Sequence, residues 1–194
     1  DFAGSAFAFY EALRNAQNVQ YGAYIDIGGA QILSLSPELF FNKYGQKIET
    51  KPMKGTAKRG SELEDLKIIE TLQTDPKQRA ENLMIVDLMR NDLSRISKTG
   101  SVKVPQLFSI ETYSTLHQMT SLVEAQLHDN IGIGEIIKGI FPAGSITGCP
   151  KIRAMEIIEE LETEPRGAYC GSIGYFDPNG FARFNVAIRT PTII

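Results

Sequence analysis

Thr115-Leu116-His117-Gln118-Met119-Thr120-Ser121-Leu122-Val123-Glu124-Ala125-Gln126-Leu127 alternates with a period of two. His117, Met119, Ser121, Val123, Ala125 and Leu127 form the more apolar set, and Leu116, Gln118, Thr120, Leu122, Glu124 and Gln126 the other. Successive strand residues point to opposite faces, so this stretch predicts a half-buried strand with His117 turned inward. Upstream, Tyr21 to Ile27 and Gln31 to Leu35 read as strands around a Gly28-Gly29 turn, and Leu39 to Asn42 and Gln46 to Thr50 as strands joined across Tyr44-Gly45. Downstream, Gly167 to Phe176 and Phe181 to Pro191 read as strands meeting at Asp177-Pro178-Asn179-Gly180, a hairpin signal. Helices fall between these groups. Ser61 opens one with a Ser61-x-x-Glu64 capping box, and Leu63, Leu66, Ile69 and Leu72 keep helical spacing behind it. A second starts near Pro76 with Leu83, Val86 and Met89 on one face, and a third runs from about Pro150 to Leu161. Phe2 to Arg14 is a further candidate helix, and Thr192-Ile193-Ile194 reads as a strand cut short, which suggests a piece of a longer protein. Strands at both ends with helices inserted between them make an α+β pattern rather than a βαβ alternation.

The 194 residues are 42% hydrophobic and 22% charged, enough for a packed core. Twenty Lys plus Arg against 23 Asp plus Glu leave a net charge of −3, which argues against a nucleic-acid partner. The longest uncharged runs are 12 residues, short of the roughly 18 that span a bilayer, so no membrane partner is expected. Two cysteines, Cys149 and Cys170, make neither a disulfide framework nor a four-ligand zinc site. A cytoplasmic setting follows as the expectation.

Three places carry candidate chemistry. The glycine-rich turn Ala143 to Lys151 leads into a helix start, where unpaired N–H groups suit a carboxylate or phosphate; the plain alternative is a helix capped by Ser145 or Thr147. Glu81 lies on a helix beside Asn82, ahead of Asp87 and Asp92, and offers the hard oxygen that Mg²⁺ prefers, although helix carboxylates are commonly just solvated. Lys54, in Pro52-Met53-Lys54-Gly55-Thr56, stands where no solubilising charge is needed, and a desolvated lysine serves as nucleophile or base. His117 on an apolar face is more often a satisfied core histidine than a catalyst.

Six stretches recur in a familiar order. They are Ser36-Pro37-Glu38-Leu39-Phe40, Lys51-Pro52-Met53-Lys54-Gly55-Thr56, Ala80 to Leu93, Gly144-Ser145-Ile146-Thr147-Gly148-Cys149-Pro150-Lys151, Arg166 to Tyr175, and Asn185-Val186-Ala187-Ile188-Arg189-Thr190. Together, over about residues 5 to 192, they resemble the chorismate-binding enzymes: the component I subunits of anthranilate and aminodeoxychorismate synthases, isochorismate synthase and salicylate synthase. The resemblance implies an antiparallel-rich two-sheet α/β sandwich with helices packed outside. It also implies a single catalytic domain over residues 1–194 that is incomplete at both ends. An upstream strand motif, a downstream glycine-rich turn and a second metal-binding glutamate would lie outside the chain, so that the piece alone would be inactive.

The resemblance also assigns roles. Lys54 matches the lysine of aminodeoxychorismate synthases that attacks C2 of chorismate; in anthranilate synthases this position is typically alanine. Glu38 matches the acid/base that handles the leaving hydroxyl, and Glu81 a Mg²⁺ ligand. Tyr169 and Arg189 match residues that grip the enolpyruvyl carboxylate, Thr147 and Gly148 a turn lining the substrate, and His117 a histidine near the ring. Chorismate, Mg²⁺ and an ammonia-supplying glutamine amidotransferase are the implied partners. Anthranilate synthase component I is the alternative within the family, and a non-catalytic binding module of the same fold a more distant one. Ala143, Ser94 and Cys149 are small departures from the family pattern. The clamp has a geometric condition: a three-residue loop, Pro178 to Gly180, pairs Asp177 with Phe181 and sets Tyr169 opposite Arg189.

Overall fold

Asp26 turns the chain at the first hairpin: its Oδ1 accepts from the Gly28 N–H at 2.8 Å, and Gly28 takes φ +79°, open to glycine at no steric cost. The computed structural model describes residues 4–17 and 19–194. In chain order the elements are α1 (Ala6–Ala16), β1 (Tyr21–Asp26), β2 (Gln31–Ser36), β3 (Leu39–Tyr44), β4 (Lys47–Lys51), β5 (Met53–Lys58), α2 (Glu62–Thr74), α3 (Pro76–Ser94), β6 (Lys103–Thr112), β7 (Leu116–Gln126), α4 (Ile133–Ile140), a single 3-10 turn (Gly144–Ile146), α5 (Lys151–Leu161), β8 (Gly174–Phe176), β9 (Ala182–Asn185) and β10 (Thr192–Ile193). The antiparallel, mixed α/β expectation holds. Phe2, where the first helix was expected to begin, lies outside the described residues, and α1 starts behind Ser5, whose side chain accepts from Ala8 N.

Two sheets share the strands. The smaller has the order β1-β2-β10 and the larger β5-β7-β4-β3-β9-β8, with β6 on the other edge of β7. β4 and β5 pair in line with the same edge of β7, and only Pro52 separates them. Leu33, Leu35 and Tyr10 form a core between the small sheet and α1. The main core joins Phe40, Phe41, Ile48 and Val123 of the large sheet to Ile85, Val86, Met89 and Leu93 of α3 and Ile136 and Ile140 of α4.

The chain passes between the sheets twice, and the two passages are tied together. Ser36-Pro37-Glu38 carries it from β2 to β3, and the segment after β9 carries it back alongside β2. Val186 N donates to Glu38 O at 3.1 Å and Ser36 Oγ to Val186 O at 2.6 Å. Buried Asn185 reinforces the seam, its Nδ2 donating to Tyr21 O at 2.8 Å and its Oδ1 accepting from Ile173 N at 3.0 Å.

Several expectations need correction. On α2 the buried residues are Asp65 and Leu72, whereas Leu63 and Leu66 are exposed, so the inward face is rotated from the apolar series. On α3 Val86 and Met89 are buried as expected but Leu83 is exposed, and Asn82 and Ile85 take its place. Neither Ser145 nor Thr147 caps α5: Pro150 is its N-cap, without a side-chain bond. The last hairpin has the expected register, with Asp177 N donating to Phe181 O at 2.9 Å and Tyr175 paired with Arg183. Its strands are much shorter than expected, because residues 167–171 form turns and Arg189 leaves to pair with β2, where Leu35 N donates to its carbonyl at 3.0 Å.

Candidate active site

Lys54 owes its position to a defect in strand pairing. Met53 pairs with Thr120 and Thr56 with Gln118, so Lys54 and Gly55 together oppose the single residue Met119. Such a bulge re-aims a side chain, and here it needs Gly55, at φ +93°. The glycine also lets α3 approach: a Cβ there would stand 3.1 Å from Gln78 Oε1 and 3.3 Å from the Met119 Cβ. From that contact α3 runs along the strand, reaching Thr50 at Met89, whose Sδ accepts from Thr50 Oγ1 at 3.9 Å. Glu81 and Asn82 sit one helical turn beyond Gln78, and Asn82 Oδ1 accepts from Ser121 Oγ of β7 at 2.6 Å.

Glu38 comes to the same place from the seam. It is only 5% exposed. Burial pushes its carboxyl up from an ordinary 4.5 to about 7, while the Ser145 hydroxyl and the Lys54 charge pull in the other direction. Thr50, Pro52, Ile85, Met89 and Ser145 gather around it. Ser145 Oγ is buried and approaches Glu38 without a fully aligned hydrogen bond. Among the described residues, no hydrogen bond or ion pair engages the Lys54 ammonium, whose charge acts on the Glu38 carboxyl.

His117 lies further along the same face of β7 and is fully buried. Its Nδ1 is 3.0 Å from Thr112 Oγ1, and its Nε2 is 3.0 Å from Asp65 Oδ1 but off the axis of a full hydrogen bond. Asp65 is held down at about 2, first by His117, then by Arg59 and the Gly60 N–H. The buried polar atoms without an aligned partner among the described residues are Asn82 Nδ2, Ser97 Oγ, His117 Nε2 and Ser145 Oγ. Each such atom costs about 1–3 kcal/mol in a core, and one of the four, Ser145 Oγ, lies beside Glu38.

The turn before α5 is held from below. Lys151 Nζ donates to Asp92 Oδ2 at 2.5 Å, to Pro142 O at 2.7 Å and to Ile140 O at 3.0 Å. Thr147 Oγ1 donates to Ala143 O at 3.2 Å, and Gly148 takes φ +149°.

A family model described as chorismate binding enzyme matches residues 1–193. The chain belongs to the chorismate-binding enzyme family. It is 44% identical to aminodeoxychorismate synthase component 1 of Escherichia coli (strain K12), over all of this chain and 43% of that protein. It is 43% identical to anthranilate synthase component 1 of Aquifex aeolicus (strain VF5), over 97% of this chain and 38% of that one. Among solved structures, anthranilate synthase component I from Streptococcus pneumoniae TIGR4 superposes with a TM-score of 0.89 at 37% identity, covering 98% of this chain and 42% of that one. The chain thus spans about two-fifths of the length of the relatives it matches.

Within this chorismate-binding fold the six motifs do not all converge. Lys54, Glu38 and Ser145 come together, and Thr147-Gly148 follow Ser145 after Ile146. Arg189 lies elsewhere: it borders a pocket between the two sheets with Pro37, Met53 and Gln118, a pocket that neither Glu38 nor Lys54 lines. Tyr169 is half-exposed on a turn next to Cys170, whose φ is +62°, and does not line that pocket either. Glu81 is half-buried with no hydrogen bond or ion pair among the described residues, which leaves its oxygens free for a hard cation. No group of three or more His, Cys, Asp or Glu that could hold a metal occurs among the described residues, so Glu81 fits as one ligand and not as a complete cage. No helix among the described residues is long and apolar enough to cross a membrane.

Sequence reasoning missed Ser145, Asp65, Thr112 and Asn82. Asp65 reads as an ordinary acidic residue in the first turn of a capped helix, and only the pairing of β7 with β5 and β6 reveals what it faces.

Proposed function

We propose that the full-length protein is an aminodeoxychorismate synthase component I, converting chorismate and ammonia into 4-amino-4-deoxychorismate. The observation that carries this reading is Lys54: a lysine on a bulge, unpaired among the described residues, beside a buried carboxyl. An ammonia-only reaction at C2 has no use for an amine there, and the family's anthranilate synthases typically place alanine at this position.

In this reading the Lys54 amine attacks C2, the ring double bonds shift, and the C4 hydroxyl departs as water with the proton that Glu38 donates. Glu38 suits that step because burial keeps it protonated up to about pH 7. Ammonia then attacks C4, the double bonds shift back, and the C2–N bond breaks to release Lys54. Thr147 and Gly148 line the substrate beside Ser145. Arg189 serves the enolpyruvyl carboxylate, a bidentate task suited to a guanidinium, and Tyr169, which does not line the Arg189 pocket, has no part in that clamp. His117 stands near the ring. Mg²⁺, held in part by Glu81, would offset the charge of the ring carboxylate. A glutamine amidotransferase partner supplies the ammonia, in keeping with the "component 1" in the relatives' names.

The test is product analysis of the full-length protein with chorismate, Mg²⁺ and ammonium. Accumulation of 4-amino-4-deoxychorismate supports the reading, and anthranilate as the product refutes it.

A further inference from the structure

Gly55 gives the Lys54 bulge its bend and takes away its rigidity. At φ +93° it holds a conformation that glycine enters and leaves freely, so Gly55 does not by itself fix where the preceding lysine points. The restraint has to come from outside the strand. On one face α3 packs against the bulge through Gln78, and that face of β7 carries Met119 and Ser121, whose hydroxyl donates to Asn82 Oδ1 of α3. Gln118, one residue before Met119, points to the opposite face. Its side chain is buried and grips the segment after Lys54 twice. Nε2 donates to Gly55 O at 2.7 Å, and Oε1 accepts from Thr56 Oγ1 at 2.8 Å. A carbonyl oxygen only accepts, so the first bond decides which end of the amide faces the bulge.

Both ends of a buried amide are thus spent on one short stretch of backbone. A bulge disrupts the strand ladder locally, and here a side chain from the opposing strand spans the disruption, since Gln118 is the register partner of Thr56. Gln118 also lines the pocket between the sheets together with Met53 and Arg189, so the bulge and that pocket share it as a wall. We propose that Gln118 is a positioning residue for Lys54: from β7 it pins the Gly55–Thr56 peptide and thereby holds the backbone from which the Lys54 amine is presented. The proposal rests on the reading of Lys54 as the nucleophile and adds what keeps it in place. Placement is decisive for such a group, because a shift of about 1 Å in a reacting atom can cost about 10²-fold in rate.

The first measurement needs neither substrate nor turnover. Reductive methylation with ¹³C-formaldehyde gives the lysines of the full-length protein ¹³C-dimethylamino resonances, and that of Lys54 is assigned by its absence from Lys54→Ala. Gln118→Met keeps the length and bulk of the side chain and loses both hydrogen bonds. It is expected to shift or split the Lys54 resonance while that of Lys138, on α4, stays in place; an unmoved Lys54 resonance overturns the proposal. In the unmethylated protein Gln118→Met should lower kcat by about 10- to 100-fold with little change in KM, because the lost bonds run to backbone and not to substrate. A residue that serves stability alone would lower the melting temperature and leave kcat per folded molecule intact, and that result overturns the proposal. Gln118→Leu, equally unable to bond, takes the place of Gln118→Met if the latter does not fold, with the same outcomes. Thr56→Val breaks the second bond but leaves Gly55 O to Nε2, so its kcat should fall far less; a loss equal to that of Gln118→Met overturns the assignment to the Gly55 bond. If anthranilate proves to be the product, the proposed reaction fails, while the Lys54 resonance still reads whether Gln118 holds the lysine.

Discussion

Lys151 and Lys54 stand in neighbouring parts of this domain and have been put to opposite uses. Lys151 sits where α3, α4 and the start of α5 converge, and its ammonium meets Asp92 and two main-chain carbonyls, Ile140 O and Pro142 O. Burial raises the Asp92 carboxyl, and Lys151 partly opposes that rise. Every proton of that ammonium is committed to holding the turn. Lys54 sits on a bulge under α3, where no such acceptor among the described residues engages it, and the nearby carboxyl, Glu38, is itself pushed towards its neutral form. The difference teaches that a lysine's role follows from its acceptors: three acceptors make a structural pin, none leaves an amine for chemistry.

Exchanging the two lysines for neutral residues should separate these roles most sharply. Lys54→Ala is expected to lower turnover of the full-length protein by roughly 10²–10⁴-fold, with urea-unfolding stability changed by no more than about 0.5 kcal/mol. Lys151→Met should do the reverse. Leaving the Asp92 carboxyl buried without its partner costs about 3 kcal/mol in the same unfolding measurement, and activity per folded molecule should fall far less than in Lys54→Ala. Equal stability losses in the two variants would erase the distinction.

Glu38 gives the next largest effect. Its carboxyl moves from 4.5 to about 7 on folding, so between those values the folded chain keeps a proton that the unfolded chain has lost. Stability must then fall as pH rises through that window, by about 3 kcal/mol in all, and stay level above it. Glu38→Gln should remove this fall, giving a flatter unfolding profile from pH 5 to 8 while abolishing turnover. A wild-type profile that rises across the window would contradict the burial of an uncompensated carboxyl.

Smaller effects probe the bulge itself. Gly55→Ala places a side chain at φ +93° against Gln78 and Met119 and should cost about 1–3 kcal/mol in stability, with turnover reduced as Lys54 is displaced. Asp75→Ala removes the N-cap of α3, whose Oδ1 accepts from Gln78 N at 2.8 Å, and should cost about 1 kcal/mol in a thermal melt. If the helix start and the bulge support one another, the two losses in the double variant will not add.

Much of the scaffold was legible because local and long-range preferences agreed. The buried series on β7 lies on the face its alternation indicates, and the hairpin at Asp177 takes the register that a glycine third residue favours. Elsewhere the pattern was broken by the features that matter. Pro52 and the Lys54-Gly55 bulge interrupt alternation and hid β5. Pro105 and Phe108, at φ +57°, do the same for β6, which slips register between Lys103 and Gln106 and again before Ser109. Helix α4 is eight residues long with Gly134 and Gly139 inside it, too short and too glycine-rich to announce itself. On α2 the apolar series misled because the helix turns Asp65, not Leu63 or Leu66, towards the sheet. Lys54 and Glu81 stood out by residue type and setting, and Glu38 became a candidate through the family motifs. Their placement depends on sheet crossings and a helix laid along a strand, neither of which local sequence encodes.

The central claim is that the Lys54 amine bonds to the substrate ring. Mass spectrometry on the full-length protein, incubated with chorismate and Mg²⁺ but without ammonia or glutamine, tests it directly. The account predicts a peptide containing Lys54 that gains the mass of chorismate less one water, absent in Lys54→Ala and discharged when ammonium is added. An unmodified Lys54 peptide from protein that still aminates chorismate when ammonium is supplied would contradict it.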